Sequence, residues 1–176
     1  MRKSLIWLIV ASALLLTIGV GVTVALLVAS SNPVVNTFTV GGVDITLTET
    51  TTEYKMTPGV TVAKDPTVTV LANSENCWLF VKVEKENNFD TFCTYEIQDG
   101  WIALEGQTGV FYKTVEKSSA NQLFPVLKNN SIHIKDTVTE EQLNGVTVNP
   151  TLTVTAYAAQ IDGLATPAAA WQALNP

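Results

Sequence analysis

From Val35 onward the chain alternates apolar and polar residues with period two, and Gly, Pro, Asn and Asp break the alternation at intervals. That period sends successive side chains to opposite faces of an extended backbone, so it restricts the fold to strands with one buried face. Strands are predicted over 35–40, 43–52, 66–72, 77–85, 99–105, 109–116, 131–135 and 150–160. A set of this size hides its apolar faces best as a two-sheet antiparallel sandwich. Within 77–85, Cys77-Trp78-Leu79-Phe80-Val81 is apolar on both faces before Lys82 and Glu84 introduce charge, which predicts a central strand that emerges toward solvent. In 150–160, Leu152, Val154, Ala156 and Ala158 form one face, and Thr151, Thr153, Thr155 and Tyr157 form the other. This is the alternation of a half-buried strand.

One or two short helices are predicted between and after the strands. Thr137-x-x-Glu140 and Thr139-x-x-Gln142 both have capping-box spacing, and Gly145 stands where a left-handed C-cap belongs, giving a brief helix over 138–144. After Pro167, Ala168, Trp171 and Leu174 recur at helical spacing, with Trp171 as the anchor.

The N-terminus follows a different pattern. Met1-Arg2-Lys3 is basic and the run from Leu5 to Ala29 carries no charge, as in an apolar signal helix or a membrane span. Thr23-Val24-Ala25 offers small residues at the positions a signal peptidase reads, Thr23 and Ala25, so cleavage after Ala25 is expected. The alternative is an uncleaved anchor, with membrane contact only through residues 1–29. The chain thus divides into a signal or anchor (1–25), an N-terminal arm (26–40) and a β-sandwich domain (41–176).

The sequence contains 16 acidic and 10 basic residues, a net charge of −6, and cleavage would remove Arg2 and Lys3 without removing an acid, leaving −8. Nucleic acid and anionic lipid both reward a basic surface, so neither is expected as a main partner. Cys77 and Cys93 are the only cysteines. They are too few for a disulfide framework or a structural zinc site and leave two alternatives, one disulfide or two buried thiols.

A catalytic constellation is missing. His133 is the sole histidine and alternates with Ile132 and Ile134, as an exposed strand residue would. There is no H-E-x-x-H, no G-x-S-x-G elbow and no Gly-rich phosphate loop. Glu84 with Glu86, and Glu140 with Glu141, read as solvated charges. No catalytic residue, metal ligand or cofactor is expected.

Asn36-Thr37-Phe38-Thr39-Val40-Gly41, Val43-Asp44-Ile45, Tyr54-Lys55-Met56-Thr57-Pro58-Gly59, Lys64-Asp65-Pro66 and Cys77-Trp78-Leu79-Phe80-Val81-Lys82-Val83 follow the long signal. With Asp99-Gly100-Trp101 and the strand from Thr153 to Tyr157, they resemble the TasA/camelysin family, exported proteins of Gram-positive bacteria with signals similar to those cut by SipW-type peptidases. The resemblance implies a jelly-roll sandwich located outside the cell or on its surface. In TasA-like members it implies biofilm matrix fibres in which the N-terminal arm completes a neighbour's sheet. Its implied partners are other copies of the chain, a minor fibre-associated protein, and the signal peptidase during export. The camelysin branch implies instead a cell-surface metallopeptidase, for which the sequence supplies no recognisable ligand set. A tethered accessory or adhesive domain is the further alternative.

The alternation changes parity at Gly41-Gly42, with Phe38 and Val40 on one side and Val43, Ile45 and Leu47 on the other. Two readings follow. The glycines form a hairpin turn that pairs Val40 with Val43 and Phe38 with Ile45. Alternatively, they are a hinge that lets the arm add as a strand elsewhere, with Leu26, Leu27, Val28, Val34, Val35, Phe38 and Val40 filling the acceptor.

Overall fold

Two ten-residue strands, Cys77–Glu86 and Thr151–Gln160, pair antiparallel along their whole length, from Thr151 opposite Glu86 to Gln160 opposite Cys77. Everything else in the computed structural model, which describes residues 28–31, 42–51 and 55–174, is arranged around that pair. In chain order the elements are β1 (Val28–Ser31), β2 (Ile45–Thr48), β3 (Thr61–Ala63), β4 (Thr67–Val70), β5 (Cys77–Glu86), α1 (Phe89–Phe92), β6 (Cys93–Thr94) and β7 (Ile102–Ala103). They continue with β8 (Val110–Val115), β9 (Gln122–Pro125), a 3-10 turn (Lys128–Asn130), β10 (Ser131–Ile134), α2 (Glu140–Asn144), β11 (Thr151–Gln160) and α3 (Pro167–Leu174).

The described strands form three antiparallel sheets, ordered β1-β11-β5-β8-β7, β2-β4-β9 and β3-β10-β6. One core joins them. Leu79, Val81, Val83, Val154, Ala156 and Ala158 of the five-stranded sheet pack against Ile45, Leu47, Val68 and Val70 from β2 and β4, and against Cys93, Ile132 and Ile134 from β6 and β10. The all-β expectation therefore holds, with the second layer split into two small sheets. As the apolar run predicts, β5 is central, buried through its first half and exposed from Glu84.

The outer face of the large sheet departs from expectation. The threonine and tyrosine face of β11 is not solvated at its C-terminal end, because α3 lies across it. Trp171 packs edge-on to Tyr157, with ring centroids 5.2 Å apart, and against Phe80 at 5.3 Å. Thr155 is only 8% exposed. Trp78 Nε1 donates to the Leu164 carbonyl at 2.9 Å, fixing the loop that leads into α3. Trp171 is the anchor the helical spacing predicts.

Other differences are local. The predicted strands 43–52 and 99–105 shrink to Ile45–Thr48 and Ile102–Ala103. In the second case Gly100 adopts φ +88°, and a Cβ there would lie 2.7 Å from Lys113 Nζ, so the chain turns at Asp99-Gly100. The strands β3, β6 and β9 are additions of two to four residues, too short to show an alternation. The helix α1 follows Asn87 and Asn88, both at positive φ, a conformation asparagine tolerates better than most residues. For α2 the capping box is the Thr139/Gln142 one: Gln142 N–H donates to Thr139 Oγ1 at 3.2 Å, and Thr139 N–H donates to Gln142 Oε1 at 2.9 Å. Gly145 is a correction. It ends α2 at φ −82°, right-handed, with its N–H on the Glu141 carbonyl rather than in a left-handed cap.

Truncating Trp171→Ala should cost about 3–5 kcal/mol, typical of a buried aromatic, and lower the melting temperature by roughly 10 °C in a calorimetric scan. A shift under 2 °C would show that α3 is not anchored as described. Asp65 accepts hydrogen bonds from the Thr50 hydroxyl at 2.5 Å and the Thr50 N–H at 2.9 Å. These bonds, the hydroxyl's foremost, hold its carboxyl below the usual range. A depressed folded-state pKa stabilises above the unfolded value, near about 4, and the gain is lost as pH falls through the folded value. The gap in urea midpoint between the native chain and Asp65→Asn should therefore be present at pH 7 and close toward pH 2. A gap independent of pH would contradict this.

Candidate functional site

Residues 28–31, within the predicted arm, form β1 on the outer edge of β11. Val28 stands opposite Ala159, Ala29 opposite Ala158, Ser30 opposite Tyr157 and Ser31 opposite Ala156. Toward β5 all ten residues of β11 are paired, and toward β1 the ladder of described residues covers Ala156 to Ala159.

Beside the N-terminal half of β11 lies a groove of about 880 Å3, bounded on its other sides by residues of β3, β6 and β10 among others. Leu152 and Val154 of β11 form one wall, with Met56, Val62, Phe89, Ile132, Ile134 and Leu143 on the others. Each wall has a sequence cause. The alternation in Ser131–Ile134 turns both isoleucines inward, and the capping box of α2 holds Leu143 over the groove. Its polar part is an ion pair, Lys64 Nζ to Glu49 Oε1 at 2.5 Å, with the lysine 6% exposed. A lysine so deeply placed needs a carboxylate beside it, since an unpaired buried ammonium is expensive. A volume of this size with mostly apolar walls is suited to an extended apolar segment or an apolar ligand.

The arm is rooted at Gly42, which adopts φ +102°, a region that glycine alone enters without strain. Its carbonyl accepts the Glu75 N–H at 2.7 Å, and a Cβ would meet Glu75 Cγ at 3.3 Å. Of the predicted arm residues, Val28 is placed, opposite Ala159. Leu26, Leu27, Val34, Val35, Phe38, Val40 and Gly41 lie outside the described residues, as do Thr23, Ala25 and the signal helix. So does the Val40/Val43 and Phe38/Ile45 pairing of the hairpin reading. Sequence reasoning did not find the groove, whose walls come from segments spread between Glu49 and Val154.

Cys77 and Cys93 are both buried and free, and they stand in different sheets. Burial pushes the Cys77 thiol up to about 12 and raises that of Cys93 as well. Thiols shifted in that direction are poor nucleophiles at neutral pH. Cys93 and His133 do not share a face. Cys93 stands opposite Ile134, so the neighbouring His133 points to the other face, where Nδ1 lies 3.2 Å from Thr61 Oγ1 and Nε2 3.4 Å from Asp136 Oδ2. The carboxylates sit apart from one another: Glu84 pairs with Lys82 at 2.6 Å, Asp99 lies near Lys128 at 3.6 Å, and Glu140 and Glu141 are exposed. No group of three or more His, Cys, Asp or Glu side chains is placed to share a metal ion among the described residues.

No family model, curated protein or solved structure matches this chain.

Titration with an aromatic disulfide reagent at pH 8 should find the native thiols slow, Cys93 at the groove reacting before Cys77, and both fully reactive after unfolding in guanidinium. Rapid labelling of the native chain would contradict their burial, and an absence of thiols after unfolding would mean that they had oxidised to a disulfide.

Proposed function

We propose that this chain is an exported structural protein, a jelly-roll-like subunit of extracellular fibres that assembles by donating its N-terminal arm to the next copy. The observation that carries the reading is the attachment of β1. Four residues of the arm are held on the body by one edge ladder, and the strand that receives them is ten residues long. The same main-chain bonds can form between two copies as within one, so exchange of the arm changes little in bonding while it links subunits. Donation from one copy to the next is a heterologous contact, and repeated without closure it builds a filament.

Composition is consistent with this. The segment 26–40 contains no Asp, Glu, Lys or Arg, and Gly42 gives it a root able to take unusual dihedrals. The apolar run from Leu5 to Ala29 supplies the export signal, so the site of action is outside the cell or at its surface. Partners are further copies and a minor fibre-associated protein, after processing by the signal peptidase.

The chain exported from its full-length coding sequence, concentrated and imaged by electron microscopy, should form filaments. A version lacking 26–40 should stay folded and monomeric. Filaments of normal length from the deletion would refute strand donation. Monomers from both, with residues 1–25 still present by mass spectrometry, would favour the tethered accessory or adhesive domain.

A further inference from the structure

Lys113 sits on the core-facing side of β8. It pairs with Leu79 of β5 and alternates with Phe111 and Val115, which pack in the main core, so its stem enters the edge of the sandwich rather than solvent. Five other lysines stand against a carboxylate: Lys64, Lys82, Lys85, Lys117 and Lys128. Lys113 has no such partner among the described residues. We infer that its ammonium group, with the cavity beside it, is a binding site for a small organic monocarboxylate with a flat apolar body.

Two aromatic rings take the place that a carboxylate has beside the other lysines. Lys113 Nζ lies 5.4 Å from the ring centroid of Trp101 and 5.9 Å from that of Phe124, within the range at which a ring face attracts a cation. Trp101 is buried and fixed in turn, its Nε1 donating to the Pro125 carbonyl at 2.9 Å. Gly100 leaves room for the ammonium, since a Cβ there would lie 2.7 Å from it. The rings offset only part of the cost of a half-buried charge, and burial holds the Lys113 pKa below the ordinary lysine range. An anion that reached the ammonium would relieve that cost.

A cavity of about 370 Å3 borders the ammonium, a volume in the range of small-molecule sites. Its walls are of two kinds. Leu123, Phe124 and Pro125 of β9 supply an apolar side, with Leu123 64% exposed at the rim. Gln98, Asn129 and Asn130 bring side-chain amides able to donate to an oxygen, the two asparagines in a turn where both adopt positive φ. A carboxylate held by Lys113 thus has further donors within the same cavity, while a flat body attached to it lies against Phe124. Charge selects a monoanion. The cavity also contains Asp99, whose carboxylate lies 3.6 Å from Lys128, and a dianion such as phosphate would bring a second negative charge toward it that Lys113 cannot neutralise.

Packing alone does not account for a lysine at this position. Methionine would fill the space of the stem and touch both rings with no charge to desolvate. The site is also independent of the arm, because β8 lies on the opposite side of the β5 and β11 pair from β1. Strand donation can therefore fail without affecting it.

The full chain after export, labelled with nitrogen-15, would be titrated with benzoate, acetate and benzyl alcohol at constant ionic strength, with the Trp101 indole N–H resonance as the reporter. Benzoate should shift that resonance saturably. Acetate should bind about tenfold more weakly for want of a ring to bury, and benzyl alcohol about tenfold more weakly for want of a charge. Lys113→Met should remove the saturable response to benzoate while the chain stays folded. Asp99→Asn, which changes an exposed side chain, should strengthen benzoate binding about threefold by removing a like charge. Benzyl alcohol or acetate binding as well as benzoate would overturn the inference. So would a benzoate response that survives Lys113→Met, an affinity unmoved by Asp99→Asn, or no saturable shift at all.

Discussion

The ladder between β5 and β11 decides where everything else can sit. Its inner face presents Leu79, Val81, Val154 and Ala156 to the second layer, and its outer face presents Phe80 and Ala159 to α3. Both faces are set by a single register, because the side-chain period is two. A slip of one residue would carry the inner set outward and bring Lys82 and Thr155 toward the core. Ten consecutive pairs with large apolar residues on both sides make such a slip prohibitive. The positions of β8 on one flank and β1 on the other are fixed as a consequence.

Those flanks are built from different parts of the chain. On the β8 side the chain returns tightly: Val83 N–H donates to the Gly109 carbonyl at 2.8 Å, and any Cβ at Gly109 would lie 2.5 Å from the Val83 carbonyl oxygen. Only glycine fits there, and β8 is then covered further by β7. On the β11 side the cover among the described residues is β1, four residues of an N-terminal segment that pair with Ala156 to Ala159.

The legible parts of the sequence were those in which many residues repeat one signal. The alternation of 150–160, the doubly apolar start of 77–85 and the spacing of Ala168, Trp171 and Leu174 each extend over several residues, and those elements stand within a residue or two of their expected bounds. β3, β6 and β9 did not show because two to four residues make no period, and Pro125 ends a strand on the edge of its sheet, where a missing N–H does no harm. The cover over the outer face of β11 was illegible for another reason. Threonine and tyrosine suit a half-buried surface as well as a wet one, and only the return of α3 decides between them. The groove was illegible for a related reason: its walls are assembled by tertiary placement of segments as distant as Met56 and Val154.

Charge ties the fold to the proposed assembly. An acidic chain resists close approach of its own copies, and two acidic edges brought together would add local repulsion to that general effect. The segments that would have to meet are spared. The arm from Leu26 to Val40 has no Asp, Glu, Lys, Arg or His, nor has β11 from Thr151 to Gln160. Nearby strands are not so composed: β5 ends in Lys82, Glu84, Lys85 and Glu86, and β8 carries Lys113. Long-range repulsion then keeps monomers apart at low concentration, while the outer edge of β11 offers nothing to desolvate except backbone, apolar side chains, threonine hydroxyls and the tyrosine and glutamine at its far end. Raising ionic strength screens the repulsion and leaves the edge unchanged, so salt should favour association of this chain with itself, the opposite of what a contact built on ion pairs would do.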